Sequence, residues 1–202
     1  MNGYLVSLPE HQAERWPRLE AKIASFGLTP VLVDGVRAKK LIKGCVNLGE
    51  VGCLLAHKGI MEDVISTGEP AYIFEDDVQF RKGLKELPTE LFLKHKMGLL
   101  GSGQDNWKNL QRKKGYYWAE RTSYGTFAYF VAPAMAEIIL KKIKRNPTAI
   151  DRIFCRSIYS KFNVPVMLPF MAIAWGRRSN IQPAAKERSR PIKSRWRLNE
   201  YE

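Results

Sequence analysis

The stretch Glu69-Pro70-Ala71-Tyr72-Ile73-Phe74-Glu75-Asp76-Asp77-Val78 decides how this chain folds. Ala71 to Phe74 is an unbroken apolar run between a proline and three carboxylates, which suits a strand covered on both faces. Such strands occur where helices sandwich a parallel sheet, and the preceding residues supply a helix. Asn47 followed by Glu50 is a variant capping box. Val51, Leu54, Leu55, Met61, Val64 and Ile65 then mark one apolar face, and Gly68 is placed to end it. Further back, Tyr4 to Leu8 reads as a first strand closed by Pro9. Trp16, Leu19, Ile23 and Phe26 recur at helical spacing within Glu10 to Phe26, Gly27 stops that helix, and Pro30 to Val33 is a second strand running into Asp34-Gly35. Strand and helix alternate, so the fold class is α/β with a central, mostly parallel sheet, and ligands are expected beyond the carboxyl ends of its strands.

Downstream of the triplet the pattern predicts a helix near Leu84 to His95, strands at Gly98 to Gly101 and Tyr124 to Ala132, and a helix opened by Pro133 and carrying Met135, Ile138, Ile139 and Ile143. Short strands follow at Val164 to Leu168 and Met171 to Trp175. A length of 202 residues with 45% hydrophobic content supports one domain. We place that domain at residues 1–185, followed by a basic tail at 186–202. Lys186 to Arg197 has six basic residues against one acidic and little apolar content, a composition compatible with partial disorder. No stretch reaches the roughly 18 apolar residues of a membrane span, and no signal-peptide pattern opens the sequence, so a cytoplasmic location is the expectation. Cys45, Cys53 and Cys155 lack disulfide or zinc spacing, and His11, His57 and His95 form no zinc-hydrolase pair.

The net charge of +13 is distributed unevenly. Residues 1–80 carry 8 basic and 11 acidic side chains, while residues 81–202 carry 25 and 9. The basic character belongs to the later part, which should meet an anionic partner. Against that background three successive carboxylates at the end of an apolar strand require neutralisation. A hard divalent ion, Mn²⁺ or Mg²⁺, is suited to oxygen ligands and would join Asp77, with Glu75 as a second ligand, to a nucleotide-sugar diphosphate. Taken alone, an acidic triplet is more often an exposed turn, and its order among the other motifs carries the reading.

That order resembles glycosyltransferase family 25, which includes lipooligosaccharide galactosyltransferases and collagen galactosyltransferases. The family's first strand and loop look like Val6-Ser7-Leu8, and its D-G pair like Asp34-Gly35. Its E-x-G-C-x-x-S-H element resembles Glu50-Val51-Gly52-Cys53-Leu54-Leu55-Ala56-His57, and its E-D-D-V ending is Glu75-Asp76-Asp77-Val78. A later glycine-aromatic strand resembles Gly125 to Phe130, its P-x-D segment Pro147 to Asp151, and its S-x-I element Ser179-Asn180-Ile181. The chain departs from the pattern in having Pro9-Glu10-His11-Gln12 where an arginine pair is usual, and Ala56 in place of serine.

The resemblance implies a GT-A-like, Rossmann-like domain, a UDP-sugar donor, Mn²⁺ and inversion at the anomeric carbon. Val6, Ser7, Leu8, Asp34, His57, Glu75 and Asp76 become donor-binding candidates, with Asp76 orienting the donor. A lone helical histidine such as His57 is more often a packed core residue than a ligand contact, Cys53 reads as core, and Asp34 reads equally as a turn residue beside Gly35. Inversion needs a general base. Asp151 is the first candidate and Asp105 the second, while Arg177 and Arg178 are candidates for diphosphate oxygens. The acceptor favoured by the resemblance is a lipooligosaccharide or related cell-envelope glycan, which the enzyme would reach at the inner membrane surface. DNA bearing a hydroxylated base is the alternative, suggested by Lys108 to Lys114 and the Trp196 region. A basic nucleic-acid-binding module without enzymatic activity is the contrasting reading.

Overall fold

The computed structural model describes residues 1–104, 108, 110–174 and 198–202. In chain order it contains β1 (Asn2–Ser7), α1 (Pro9–Ser25), β2 (Thr29–Asp34), α2 (Leu48–Thr67), β3 (Ala71–Glu75), β4 (Val78–Phe80), α3 (Thr89–His95), β5 (Met97–Leu99), β6 (Gly103–Gln104), β7 (Arg112–Lys113), β8 (Tyr116–Trp118), β9 (Ser123–Tyr124), β10 (Ala128–Val131), α4 (Pro133–Arg145), α5 (Ile150–Ile153), β11 (Pro165–Met167) and β12 (Ala172–Ala174). A π-helical turn, Phe154–Ile158, continues α5.

The main sheet has the order β2-β1-β3-β10-β5-β11-β8-β7. β1 is parallel to both β2 and β3, and β5 is parallel to β11, while β10 and β8 are antiparallel to their neighbours. Only β10 and β8 therefore oppose the common direction, and the sheet is mostly parallel. Residues alternate strictly across it. Ala71, Ile73, Tyr129 and Val131 face a core shared with α2, α4 and α5. Tyr72, Phe74, Ala128 and Phe130 face a second core containing Leu19 and Ile23 of α1 and Phe92 of α3. This two-sided burial explains why β3 reads as a continuous apolar run rather than as alternation.

Local chemistry fixes the helix ends. Asn47 Oδ1 accepts the Glu50 N–H at 2.8 Å, and the Glu50 carboxylate accepts the Val46 N–H at 2.8 Å. Gly68 ends α2 at φ 70°. Two predicted elements differ from those observed. The helix near Leu84 begins only at Thr89, because Pro88 occupies its cap position. The strand expected from Tyr124 to Ala132 is two strands: Gly125, at φ +104°, turns the chain so that β9 pairs with β6 while β10 enters the main sheet. The 186 boundary lies outside the described residues. The chain's last residues return to the domain, where Phe80 and Glu202 exchange backbone hydrogen bonds of 2.9 and 2.8 Å and the Tyr201 hydroxyl donates to the Phe170 carbonyl. Among the described residues no helix is long and apolar enough to cross a membrane.

Candidate active site

The chain leaves β1 for α1 on one face of the sheet and returns through α2 on the other, so a crevice opens where β1 and β3 run side by side. Ligands of open α/β sheets characteristically sit at such a reversal, beyond the carboxyl ends of the strands. Here register places Ser7 opposite Asp34, and Val6 opposite Glu75. A pocket of about 120 Å³ lies at this edge, bounded by the β1 end at Val6-Ser7-Leu8, by His57 and Cys53 of α2, and by Glu75 and Asp76. Six of the residues expected at the donor site thus come together: Val6, Ser7, Leu8, His57, Glu75 and Asp76. Asp34 stands exposed beside them, accepting a hydrogen bond of 2.7 Å from Gln12.

The three carboxylates have three different environments. Glu75 Oε1 accepts a hydrogen bond from the Thr126 hydroxyl and lies 3.5 Å from His57 Nε2. Burial pushes its carboxyl up, but His57 and Thr126 outweigh burial and hold it below its ordinary value. Asp76 accepts from Ser7 Oγ at 2.7 Å and pairs with Arg15 at 2.7 Å. Asp77 has no such help. Its Oδ1 is buried without a hydrogen-bond partner, and burial, followed by the charges of Glu75 and Asp76, lifts its carboxyl to about 7 despite Arg15. A buried carboxylate oxygen without a cation fits the hard oxygen-ligand requirement of Mn²⁺ or Mg²⁺.

A second donor set lies alongside. Cys53, His57 and Glu75 bring one ligand atom each within 4.8 Å of one another. Sulfur, nitrogen and oxygen together form a borderline set better matched to zinc than to a hard ion. Burial pushes the Cys53 thiol well up, and the charges of Glu75 and Asp151 add to the effect, so without an ion it is a protonated, inert sulfur. His57 is fully buried; its Nδ1 lies 2.7 Å from the Tyr129 hydroxyl. Burial raises the Tyr129 phenol well above its usual value, so the phenol keeps its proton in this contact.

Asp151 opens α5, and its charge reaches Cys53 and Glu75. Its Oδ1 accepts the Arg152 N–H at 2.6 Å, and burial raises its carboxyl. Asp105, Arg177, Arg178, Trp196 and the Ser179-Asn180-Ile181 element lie outside the described residues. Several participants were not singled out from the sequence. Arg15 sits within α1 rather than in the loop where the family pattern puts arginines, and it was visible only as one cation on an amphipathic helix. Thr126 and Tyr129 lay inside a stretch read as a single strand. Gly52 needs its missing side chain, since a Cβ there would stand 2.0 Å from the Val36 carbonyl oxygen.

The sheet order and the pocket at its reversal define an α/β fold with a mostly parallel central sheet and a crevice at its strand ends. The same fold is found in the crystal structure of a glycosyltransferase involved in the glycosylation of the major capsid of PBCV-1, at 10% identity and a TM-score of 0.52, over 83% of this chain and 81% of that one. A weaker likeness, with a TM-score of 0.44 and 14% identity over 87% and 86% of the two chains, is to A197 from STIV. Residues 29–154 match the model of glycosyltransferase family 25 (LPS biosynthesis protein), and the chain belongs to that family. No curated protein matches it by sequence.

Proposed function

We propose that this glycosyltransferase moves a hexose from a UDP-sugar to an acceptor hydroxyl with inversion, using Mn²⁺ or Mg²⁺ held by Asp77. The observation that carries this reading is the buried Asp77 oxygen without a hydrogen-bond partner, next in the chain to Glu75 and Asp76, which line the pocket. Glu75 would be the second ligand, with its Oε1 already engaged by Thr126 and His57. A divalent ion at this position supplies charge neutralisation for the departing diphosphate. Ser7 and Arg15 fix the Asp76 carboxylate, and Asp76 in turn orients the donor. Val6 and Leu8 line its seat, and Asp34, exposed at the end of β2, meets the ribose.

Asp151 accepts the proton of the acceptor hydroxyl while the acceptor oxygen bonds to the anomeric carbon and the bond from that carbon to the diphosphate breaks. A carboxyl raised by burial is closer in proton affinity to neutral pH, which favours it as a base. Arg177 and Arg178 are further candidates for the diphosphate. The acceptor is a phosphate-bearing cell-envelope glycan reached at the inner membrane surface. Its support is the family's description as an LPS biosynthesis protein together with the strongly basic later half.

The test is transfer and donor binding measured with and without Mn²⁺ in Asp77→Ala and Asp151→Asn. Asp77→Ala should lose metal-dependent UDP-sugar binding and at least ~100-fold in turnover. Asp151→Asn should bind donor normally and lose turnover by a similar factor. Full-rate transfer by Asp77→Ala would remove the metal assignment, and full-rate transfer by Asp151→Asn would remove the base.

A further inference from the structure

Away from the donor pocket, the C-terminal turn of α4, the start of α5 with its π-helical extension, and the loop at Gly44 enclose a cavity of about 420 Å³. Lys142, Arg145, Arg152 and Arg156 line it, and no acidic residue does. It shares no lining residue with the donor pocket. From this geometry we infer that the cavity is a binding site for a phosphate monoester, presented as a free sugar or glycerol phosphate or as a lipid headgroup.

Lys142 and Arg145 alone would need no such explanation, because cations in a helix's last turn complement its dipole. Arg152 and Arg156 belong to the next helix. Their spacing of four residues puts them on one side of it, a like-charge placement that costs stability unless an anion answers it. Only Arg152 has an acidic partner, Glu50 at 2.5 Å; Lys142, Arg145 and Arg156 form no ion pair among the described residues. Arg152 is also fixed in position. It donates to the Gly44 carbonyl at 2.9 Å, and the Thr148 hydroxyl donates to the same oxygen at 2.6 Å. Gly44 lies so close to this wall that a Cβ would meet the Pro147 carbonyl oxygen at 2.5 Å. The loop and the helix ends are therefore one assembled surface, with Thr148 and Ser157 hydroxyls among the cations.

Arginine forks match the oxygens of a phosphate, and a dianion would neutralise two of the unanswered charges. The same loop carries Leu41 and Val46 exposed at 61% and 69%, with Lys39, Lys40 and Lys43 exposed among them. Apolar side chains interleaved with lysines suit the surface of an anionic bilayer, which gives the headgroup source a physical basis.

The experiment is titration of the full chain with glycerol 3-phosphate, against chloride at matched ionic strength, in wild type and in an Arg145→Gln/Arg156→Gln double variant. Both side chains are exposed, and an unchanged ligand-free Tm establishes that the variant folds. Saturable binding by the wild type, weakened at least tenfold in the variant, is expected. Co-sedimentation with phosphatidylcholine vesicles, with and without phosphatidic acid, separates the sources. Phosphatidic-acid-dependent binding that glycerol 3-phosphate competes away identifies a headgroup, and binding of the soluble ester alone identifies a free phosphate. Absence of saturable binding in both arms, or binding undiminished in the double variant, overturns the site. The inference deepens the acceptor reading, but its readout needs no donor. Were UDP-sugar binding to fail while phosphate binding held, the transfer reading would fall and this site would stand.

Discussion

The donor edge of the sheet and the cavity between α4 and α5 treat charge in opposite ways. At the donor edge nearly every carboxylate is answered: Glu75 by His57 and Thr126, Asp76 by Arg15 and Ser7, Glu50 by Arg152. One, Asp77, is left bare and buried. In the cavity one arginine is paired and three cations are left without an ion pair. The Asp77 oxygen is the exception to the rule that buried polar groups find partners within the fold, whereas the cavity's cations face solvent and gather like charges around one space. The contrast is what the two proposals rest on: a cation beside Asp77 and an anion beside Arg145 and Arg156 would each answer the charge the fold leaves over.

The largest expected effect comes from breaking the shape of the donor edge. Gly52→Ala drives a Cβ against the Val36 carbonyl oxygen, backbone against backbone, so α2 and the loop that walls the pocket must separate. A loss of ~3 kcal/mol in unfolding free energy, read by chemical denaturation, together with loss of donor binding, is expected. A variant as stable as wild type would mean that the wall is not fixed there.

Asp77→Asn sharpens the charge contrast through pH. The Asp77 carboxyl titrates near 7 in the fold, against ~3.9 in an unfolded chain. Its contribution to stability is therefore intact below pH ~4 and is lost as pH rises through about 7. The metal-free Asn variant should be more stable than wild type at pH 8, by a few kcal/mol, and equal to it at pH 4. Thermal unfolding at the two pH values checks this, and a variant less stable than wild type at pH 8 would show that Asp77 is already compensated. Saturating Mn²⁺ should close the gap by stabilising the wild type alone.

Arg15→Ala gives the smallest effect. It removes the cation that answers Asp76 and that also lowers the proton affinity of Asp77. A roughly tenfold fall in kcat/KM, with the metal requirement shifted to higher concentration, is expected from the loss of one partly exposed charge-assisted bond. Unchanged kinetics would make Arg15 a surface residue that merely leans on Asp76.

Much of the donor edge could be read from the sequence because its signals are local. The Asn47 cap, the Gly68 stop, the apolar run of Ala71 to Phe74 and the triplet each depend on neighbours within a few positions, and the structure keeps them in place. Arg15 was invisible because its partner is 61 positions away. The break at Gly125 was missed because its flanks, Ser123-Tyr124 and Ala128 to Val131, both have strand-forming residues, and only the positive φ separates them. The cavity escaped for the same reason as Arg15. Lys142, Arg145, Arg152 and Arg156 read as an ordinary basic stretch until the turn between two helices folds them around one space.

The close approach of Gly52 to the Val36 carbonyl has a consequence for how such a chain can diversify. With Gly35, Gly49 and Gly52 among its lining, part of the donor pocket is walled by main chain rather than by side chains. A main-chain wall offers substitution nothing to adjust: replacing a glycine damages the enclosure before it alters the fit. The fit of the pocket can then change only through the side chains that enter it, Ala56 and Leu8 among them.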